Sequence, residues 1–244
     1  LVTDLAQGVP ITQFCDDQKV PLSMRVRLFL EVCEAVHHAH AKGLAHGNLK
    51  PSNVLVGLNE AAQPIFKITD FGFAQMMGTG VITPDGHPRT PTAYLAPEQI
   101  GTGKMDMKGD ILALGVLLFE LITGRLPFTT PPLMGNLEDL RRTVRDATPA
   151  RASECLKALP KAQLYGIALA RGTEPARLVE LLEAHFDILL MRAMQKQAHA
   201  RPESLLQLAE GLQGYLKAAQ TAEAPPTGTG STGGSSPERN HSLL

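Results

Sequence analysis

The sequence predicts a mainly helical domain with a few short β-strands, and three features lead to this expectation. Residues 110–123 are apolar nearly all round, so a helix there must be buried. Residues 21–42 carry apolar side chains at helical spacing and predict an amphipathic helix. Two apolar runs, 54–56 and 65–69, are short and lie on either side of a polar stretch, which indicates a pair of strands.

The composition is that of a globular domain without a strong charge of either sign. Hydrophobic residues make up 43% of the 244 residues, charged residues 19%, and the formal net charge is −1. This balance gives no support to nucleic-acid or membrane-surface binding. The longest apolar run, 111–122, contains Glu120 and is too short to span a bilayer. We therefore expect no nucleic-acid partner and no membrane segment in this chain.

The cysteines and the first residues bear on where the protein resides. Cys15, Cys33 and Cys155 are odd in number and far apart, which favours reduced thiols in a cytoplasmic domain. The start of the chain does not read as a signal peptide. Because the first residue is Leu rather than Met, the simplest interpretation is a fragment whose upstream part is missing.

The first half of the chain predicts a strand, a helix and a hairpin. Residues 1–11 read as a short apolar strand followed by a Gly-Pro turn. For the helix over 21–42, Ser23 is the predicted N-cap and Gly43 the end. The strands over 54–56 and 65–69 are expected to form a hairpin around a polar turn at Asn59 and Gln63.

The second half is expected to be helical around the buried helix. Gly124 ends that helix. We then predict an amphipathic helix over 136–147, a long irregular insert with one short helix over 148–173, helical structure broken near His185 over 174–195, and a last helix over 203–217. From residue 221 the chain is rich in Pro, Gly, Ser and Thr and cannot bury a core.

Three motifs follow one another along the chain: HGNLKPSN over 46–53, DFG over 70–72 and APE over 96–98. Their order and spacing match the catalytic loop, the DFG and the APE of protein kinases. This resemblance implies phosphoryl transfer, which needs positioning and charge neutralisation more than covalent chemistry. A carboxylate and an amide oxygen can together hold Mg²⁺, a hard cation that takes oxygen ligands.

Through these motifs, the chain resembles the C-terminal lobe of a bacterial, eukaryotic-like serine/threonine protein kinase. The resemblance covers 1–216 and implies the kinase hinge and C-lobe, an α+β architecture, with 217–244 as a disordered tail or linker. The Gly-rich loop, the strand Lys and the paired Glu of the family's N-lobe have no counterpart in this chain. The fragment alone is therefore expected to be inactive.

The resemblance also assigns roles in binding ATP and Mg²⁺. Asn53 and Asp70 match the metal ligands, and Lys50 matches the Lys that meets the transferred phosphate. Thr3 would be the gatekeeper, and residues 4–6, with Asp4 and Ala6, the hinge that meets the adenine. These assignments also make Leu55 the floor of the adenine site, although plain strand core explains Leu55 equally well.

Two departures from the family motif put the activity in question. Asn48 stands where the family has the catalytic Asp, and an amide is a very poor proton acceptor. Gly47 stands where the family has an Arg that partners an activation-loop phosphate. The expected function is thus an impaired protein serine/threonine kinase; the alternative is a pseudokinase that acts as a nucleotide-binding or scaffolding module.

Five residues are expected to have structural roles. His46 should pack beneath Phe71, and Asp110 should cap the buried helix and hold the backbone of the catalytic loop. The resemblance further implies that Arg201 pairs with Glu98 of the APE motif, as in the family, in a buried ion pair. A metal site at His37 and His40 is the alternative for the His-rich segment, but no carboxylate or Cys at ligand spacing completes it.

Residues 72–96 would be the activation segment, rich in Gly, Pro and Thr. Its conceivable phosphorylation sites are Thr79, Thr83, Thr90 and Thr92, although a role as polar loop residues is the favoured explanation. By resemblance, a protein substrate or partner would dock near this segment and the helix over 136–147, which corresponds to helix G of the family.

Overall fold

The structure is a computed structural model and describes residues 8–72, 91–102, 106–128 and 137–223. This part of the chain is mainly helical with one small sheet, as the sequence predicts. Its helices are α1 (Ile11–Asp17), α2 (Leu22–His40), α3 (Pro97–Thr102), α4 (Met107–Thr123), α5 (Leu137–Asp146), α6 (Ala152–Lys157), α7 (Lys161–Ala170), α8 (Pro175–Leu181), α9 (Asp187–Ala193) and α10 (Leu205–Glu223). Its strands are β1 (Val9–Pro10), β2 (Val54–Leu58) and β3 (Pro64–Ile68).

Helix α4 is the centre of the core. Fourteen of its seventeen residues are buried, which confirms the expectation from its all-round apolar sequence. Helices α2, α6 and α9 all pack against it. Each fully buried Leu or Ile contributes about 1.5–3 kcal/mol to folding. Helix α4 is therefore held firmly in the core, and elements bonded to it are held in place as well.

The start of α4 differs from the prediction. The helix begins one turn earlier than expected, and its N-cap is Asp106, whose side chain accepts a hydrogen bond from the Gly109 amide at 2.7 Å. Asp110 therefore does not cap the helix. It lies in the first turn, where a negative charge is favoured by the helix dipole, and its carboxylate is available for other contacts.

Helix α2 also begins with a different residue than predicted. Pro21 occupies the N-cap position, and no side chain caps the helix there, so the expectation for Ser23 is wrong. The first-turn amide of Leu22 instead donates to the Arg171 carbonyl at 3.0 Å, which replaces the missing cap. Gly43 adopts a left-handed φ of 77° just past the helix end, as its position predicts.

The sheet contains the predicted hairpin and one unexpected strand. β2 pairs antiparallel with β3, with Val54 opposite Ile68 and Val56 opposite Phe66. On its other side, β2 pairs with Val9–Pro10, where the sequence predicted a turn. Helix α1 follows at once and was not predicted, because seven residues are too few for a helical period to be recognised.

The C-terminal half corrects two further expectations. The stretch 148–173 contains two helices, α6 and α7, rather than one. The next stretch is helical with a π-helical turn over Leu182–Phe186, which includes the predicted break at His185. Helix α10 continues to Glu223, six residues beyond the predicted end of the last helix; residues 224–244 lie outside the described part.

Two buried arginines, which the sequence did not indicate, hold three elements at the end of α4. Arg25 donates to the Leu121 carbonyl at 3.0 Å, and Arg171 donates to the same oxygen at 3.1 Å. Both guanidinium groups also approach the Asp16 carboxylate, at 2.7 and 3.5 Å. Cations near a helix C-terminus are favoured by its dipole, so this cluster stabilises the α4 terminus and fixes α1, α2 and α7 to it.

A second cluster joins the end of the chain to the APE motif. The Arg201 guanidinium is fully buried and donates to both carboxylate oxygens of Glu98, with the Nη2–Oε2 contact at 3.0 Å. Further bonds reach the carbonyls of Lys108, Gln195 and Lys196. Arg201 thus connects α3, the start of α4 and the loop before α10.

The described residues carry neither a membrane span nor a disulfide. None of the helices in these ranges combines the length and the apolar character that a bilayer crossing requires. Cys15, Cys33 and Cys155 are free thiols, and burial raises the pKa of Cys15 to about 11, which keeps it protonated at neutral pH.

We predict that Arg201→Ala lowers the free energy of unfolding by about 3–5 kcal/mol, because it removes the buried guanidinium that pairs with the Glu98 carboxylate. Urea denaturation of the two proteins measures this difference. Lys157→Ala is the matched control, since Lys157 pairs with Glu154 and Glu183 on the surface, where ion pairs contribute less than about 1 kcal/mol. Equal unfolding midpoints for Arg201→Ala and the parent would contradict the assignment.

Candidate active site

The candidate site begins at a loop that Asp110 holds from below. One oxygen of the Asp110 carboxylate accepts from the His46 amide at 2.7 Å, and the other accepts from the Gly47 amide at 2.8 Å. His40 Nε2, at the end of α2, donates to the same carboxylate at 2.7 Å. Asp110 is 1% exposed, so these bonds replace the water that a buried carboxylate loses. The loop backbone is therefore attached directly to the central helix.

Two contacts of the His46 ring show which of its nitrogens carries the proton. The Asn48 backbone amide donates to Nδ1 at 3.3 Å, so Nδ1 must carry a lone pair. Nε2 lies 2.9 Å from the Thr69 carbonyl oxygen, which can only accept, so Nε2 carries the proton. Burial lowers the pKa of His46, with Asp110 partly opposing that effect, and a neutral imidazole fits both contacts.

His46 also contacts the DFG motif. Its ring lies 4.5 Å from the Phe71 ring, measured between centroids, and its carbonyl accepts from the Gly72 amide at 3.3 Å. The contact between the two rings is the packing of His46 against Phe71 that the sequence predicted. These bonds fix the backbone on both sides of Asp70 relative to the loop.

The predicted metal ligands Asp70 and Asn53 carry a carboxylate and a side-chain amide. The Asn53 side-chain nitrogen donates to the Asn48 backbone carbonyl at 2.8 Å, so the side-chain oxygen is the atom that could coordinate a metal. The Thr69 amide donates to the Asn53 carbonyl at 3.0 Å, so Asp70 follows directly on a residue bonded to Asn53. Asp70 is exposed and has a left-handed φ of 63°, a conformation that is uncommon outside Gly and frequent at functional sites.

The other predicted site residues lie on the loop before Asn53 and on β2. Asn48 and Lys50 are half-buried in the loop, with Asn48 one residue beyond the Gly47 amide that Asp110 holds. Leu55 is half-buried in β2, opposite Pro10 and Lys67. Its strand position agrees equally with the two explanations that the sequence left open.

Gln99 is a residue of this site that sequence reasoning missed. Its side chain is 4% exposed; its oxygen accepts from the Ala96 amide at 2.8 Å, and its nitrogen donates to the Gly47 carbonyl at 3.0 Å. With Asp110 on the Gly47 amide, both polar backbone groups of Gly47 are held. The sequence feature that could have indicated this role is the position of Gln99 directly after the APE motif.

A second missed contact joins the segment before APE to the core. Tyr94 is buried, and its hydroxyl donates to the Glu120 carboxylate of α4. Burial raises the pKa of both groups. Tyr94 therefore ties residues 91–95 to the same helix that holds the loop.

Several predicted residues fall outside the described part of the chain. These are Thr3, Asp4 and Ala6 of the expected hinge, and Thr79, Thr83 and Thr90 of the expected activation segment. Thr92 is described and begins a single 3₁₀ turn with Tyr94. In the described ranges, three or more His, Cys, Asp or Glu side chains never converge as metal ligands, and His40 is bonded to Asp110.

Comparison with known proteins agrees with this geometry. The sequence profile described as "Protein kinase domain" matches residues 1–207. The serine/threonine-protein kinase PknL of Mycobacterium tuberculosis (strain ATCC 25618 / H37Rv) is 30% identical over 193 residues, which cover 75% of this chain and 47% of PknL. The probable serine/threonine-protein kinase PknB of Lactococcus lactis is 33% identical over 130 residues, covering 52% of this chain and 20% of that protein.

A solved structure has the same fold. The kinase domain of Mycobacterium tuberculosis PknI, as a C20A_R136A double mutant, superposes with a TM-score of 0.55 at 21% identity, covering 87% of this chain and 64% of that chain. The chain spans at most about half of the length of the two curated relatives. On the profile match over most of its length, the chain belongs to the protein kinase domain family and is related to the bacterial serine/threonine kinases.

Proposed function

We propose that this chain is the hinge and C-lobe of a protein serine/threonine kinase that binds Mg²⁺-ATP and transfers its γ-phosphoryl group slowly to protein hydroxyls. The observation that carries the proposal is the arrangement around Asn53. Its amide nitrogen is bonded to the Asn48 carbonyl, and its backbone carbonyl is bonded to the residue before Asp70. These bonds attach the backbone just before Asp70 to the residue that carries the second proposed ligand, which supports the proposal.

The donor set fits magnesium. One carboxylate and one amide oxygen are hard ligands, and Mg²⁺ is commonly held by one or two carboxylates together with phosphate oxygens and water. When bound, the metal would bridge phosphate oxygens and neutralise the charge that develops during transfer. Asn53 and Asp70 would hold it, and Lys50 would lie on the phosphate as a further positive charge.

Asn48 is the reason to expect slow transfer. A side-chain amide has the size of a carboxylate and can orient a substrate hydroxyl by hydrogen bonding, but it does not accept the proton. Loss of a positioned acid–base group typically costs about 10²–10⁴-fold in rate. Nucleotide binding does not depend on that proton transfer and should be retained.

The second candidate is a pseudokinase that binds nucleotide or a partner without turnover. Asn48 favours it, and so does Gly47, which has no guanidinium for a phosphorylated activation segment. The retained Asn53 and Asp70 speak for the first candidate. Protein substrates would dock near the activation segment and α5, as in the family at large.

We predict that Asn48→Asp in the intact gene product raises phosphotransfer to a protein substrate by about two orders of magnitude or more, because it restores a proton acceptor. Transfer of radiolabelled phosphate measures the rate. Asn48→Leu is the size-matched control and should not exceed the parent. A rate that does not respond to Asn48→Asp favours the pseudokinase.

We further predict that Asp70→Ala abolishes the Mg²⁺-dependent part of the rise in melting temperature on adding ATP, because it removes the charged ligand. Differential scanning fluorimetry with and without Mg²⁺ measures it. Asp146→Ala is the control, since Asp146 is exposed on α5 and pairs with Arg145. If ATP raised the melting temperature of the parent protein equally with and without Mg²⁺, the metal assignment would be contradicted.

A further inference from the structure

Helix α7 is apolar along most of its length, yet little of it is buried. Seven of its ten residues are apolar, and Ala168 is the buried one. Tyr165 and Leu169 are each 55% exposed. Because residues four apart lie on the same face of a helix, these two side chains form one outward apolar face. Such a face on a surface helix indicates an interaction site.

The exposed face of α7 continues into a groove shared with α8. The groove encloses about 790 Å³, and its lining is almost entirely apolar. Its apolar lining includes Ala162, Tyr165, Pro175, Ala176 and Val179. Both helices belong to the stretch between α5 and α9, and neither carries a residue of the candidate active site. We call this surface the α7–α8 groove.

Each wall of the groove carries one charge, and the two charges are opposite. Lys161 lies on the α7 wall and Glu180 on the α8 wall. Lys161 makes no ion pair within the described residues. Glu180 lies 3.3 Å from Arg177 on its own helix, an exposed pair of the kind that contributes little and can be rearranged.

We propose that the α7–α8 groove binds a second copy of this chain and forms a two-fold symmetric dimer. A two-fold axis along the groove lays the α7 wall of one copy on the α8 wall of the other. Lys161 of each copy then faces Glu180 of the second copy, so both charges are matched twice around one apolar centre. A partner of a single charge sign would leave one wall opposite a like charge. The inference is independent of the proposed phosphoryl transfer.

Sedimentation velocity over roughly a hundredfold range of protein concentration tests the proposal. The expected result is a species of twice the 26.2-kDa mass of one chain, growing with concentration. Tyr165→Glu should weaken this dimer by about tenfold or more, because it places a charge in the apolar centre. Leu206→Glu is the control: Leu206 is 50% exposed on α10, outside the groove, and its replacement should leave the dimer unchanged.

A charge exchange tests the two-fold arrangement itself. Lys161→Glu and Glu180→Lys should each weaken self-association, because each variant opposes like charges across the groove. An equimolar mixture of the two single variants should form a mixed dimer, since every pair across the groove is then opposite in charge. The double variant Lys161→Glu/Glu180→Lys should dimerise as the parent does.

Four outcomes would overturn the proposal. One is a chain that stays monomeric over the whole concentration range. Another is a dimer that responds to Tyr165→Glu no more than to Leu206→Glu, or single charge variants that do not complement each other. The last is a dimer that forms only after deletion of residues 224–244, which would assign the groove to that segment of the same chain.

Discussion

The carboxylate of Asp110, buried in the first turn of α4, holds the candidate active site together. It accepts hydrogen bonds from two consecutive loop amides and from His40, so three separate elements meet at two oxygen atoms. Removing water from a carboxylate costs several kcal/mol unless its hydrogen bonds are replaced. The hydrogen bonds that hold the loop are thus the same ones that compensate the buried charge. Because α4 is buried along most of its length, Asp110 is held in a fixed position.

His46 connects the loop that Asp110 holds to the segment before Asp70, one of the two proposed metal ligands. His46 is fixed at its amide by Asp110 and at its ring by Asn48 and Thr69, and Thr69 precedes Asp70. Gly47, with a φ of 76°, makes the turn between the Asp110 contacts and Asn48 possible at low cost, since Gly adopts positive φ readily. Replacement of the family's Arg by Gly therefore removes a charge while leaving the loop conformation accessible.

The sequence predicted best what depends on pattern. The all-apolar α4 and the hairpin follow from residue type and spacing, whereas the Arg201–Glu98 contact was implied by the resemblance to the kinase family. Its failures have a physical cause. Ser23 and Asp110 were assigned as helix caps on local grounds, but tertiary contacts decided both: the Arg171 carbonyl serves the start of α2, and Asp106 caps α4. The buried Arg25 and Gln99 act over distances along the chain that no local pattern records.

Hydrogen exchange at two backbone amides tests most directly the claim that Asp110 holds the loop. The amides of His46 and Gly47 should exchange as slowly as core amides of α4 in the parent protein. In Asp110→Asn, one acceptor oxygen is replaced by a donor, so at least one of the two amides should lose its protection while α4 keeps its own. Fast exchange of both amides in the parent, or unchanged protection in Asp110→Asn, would contradict the account.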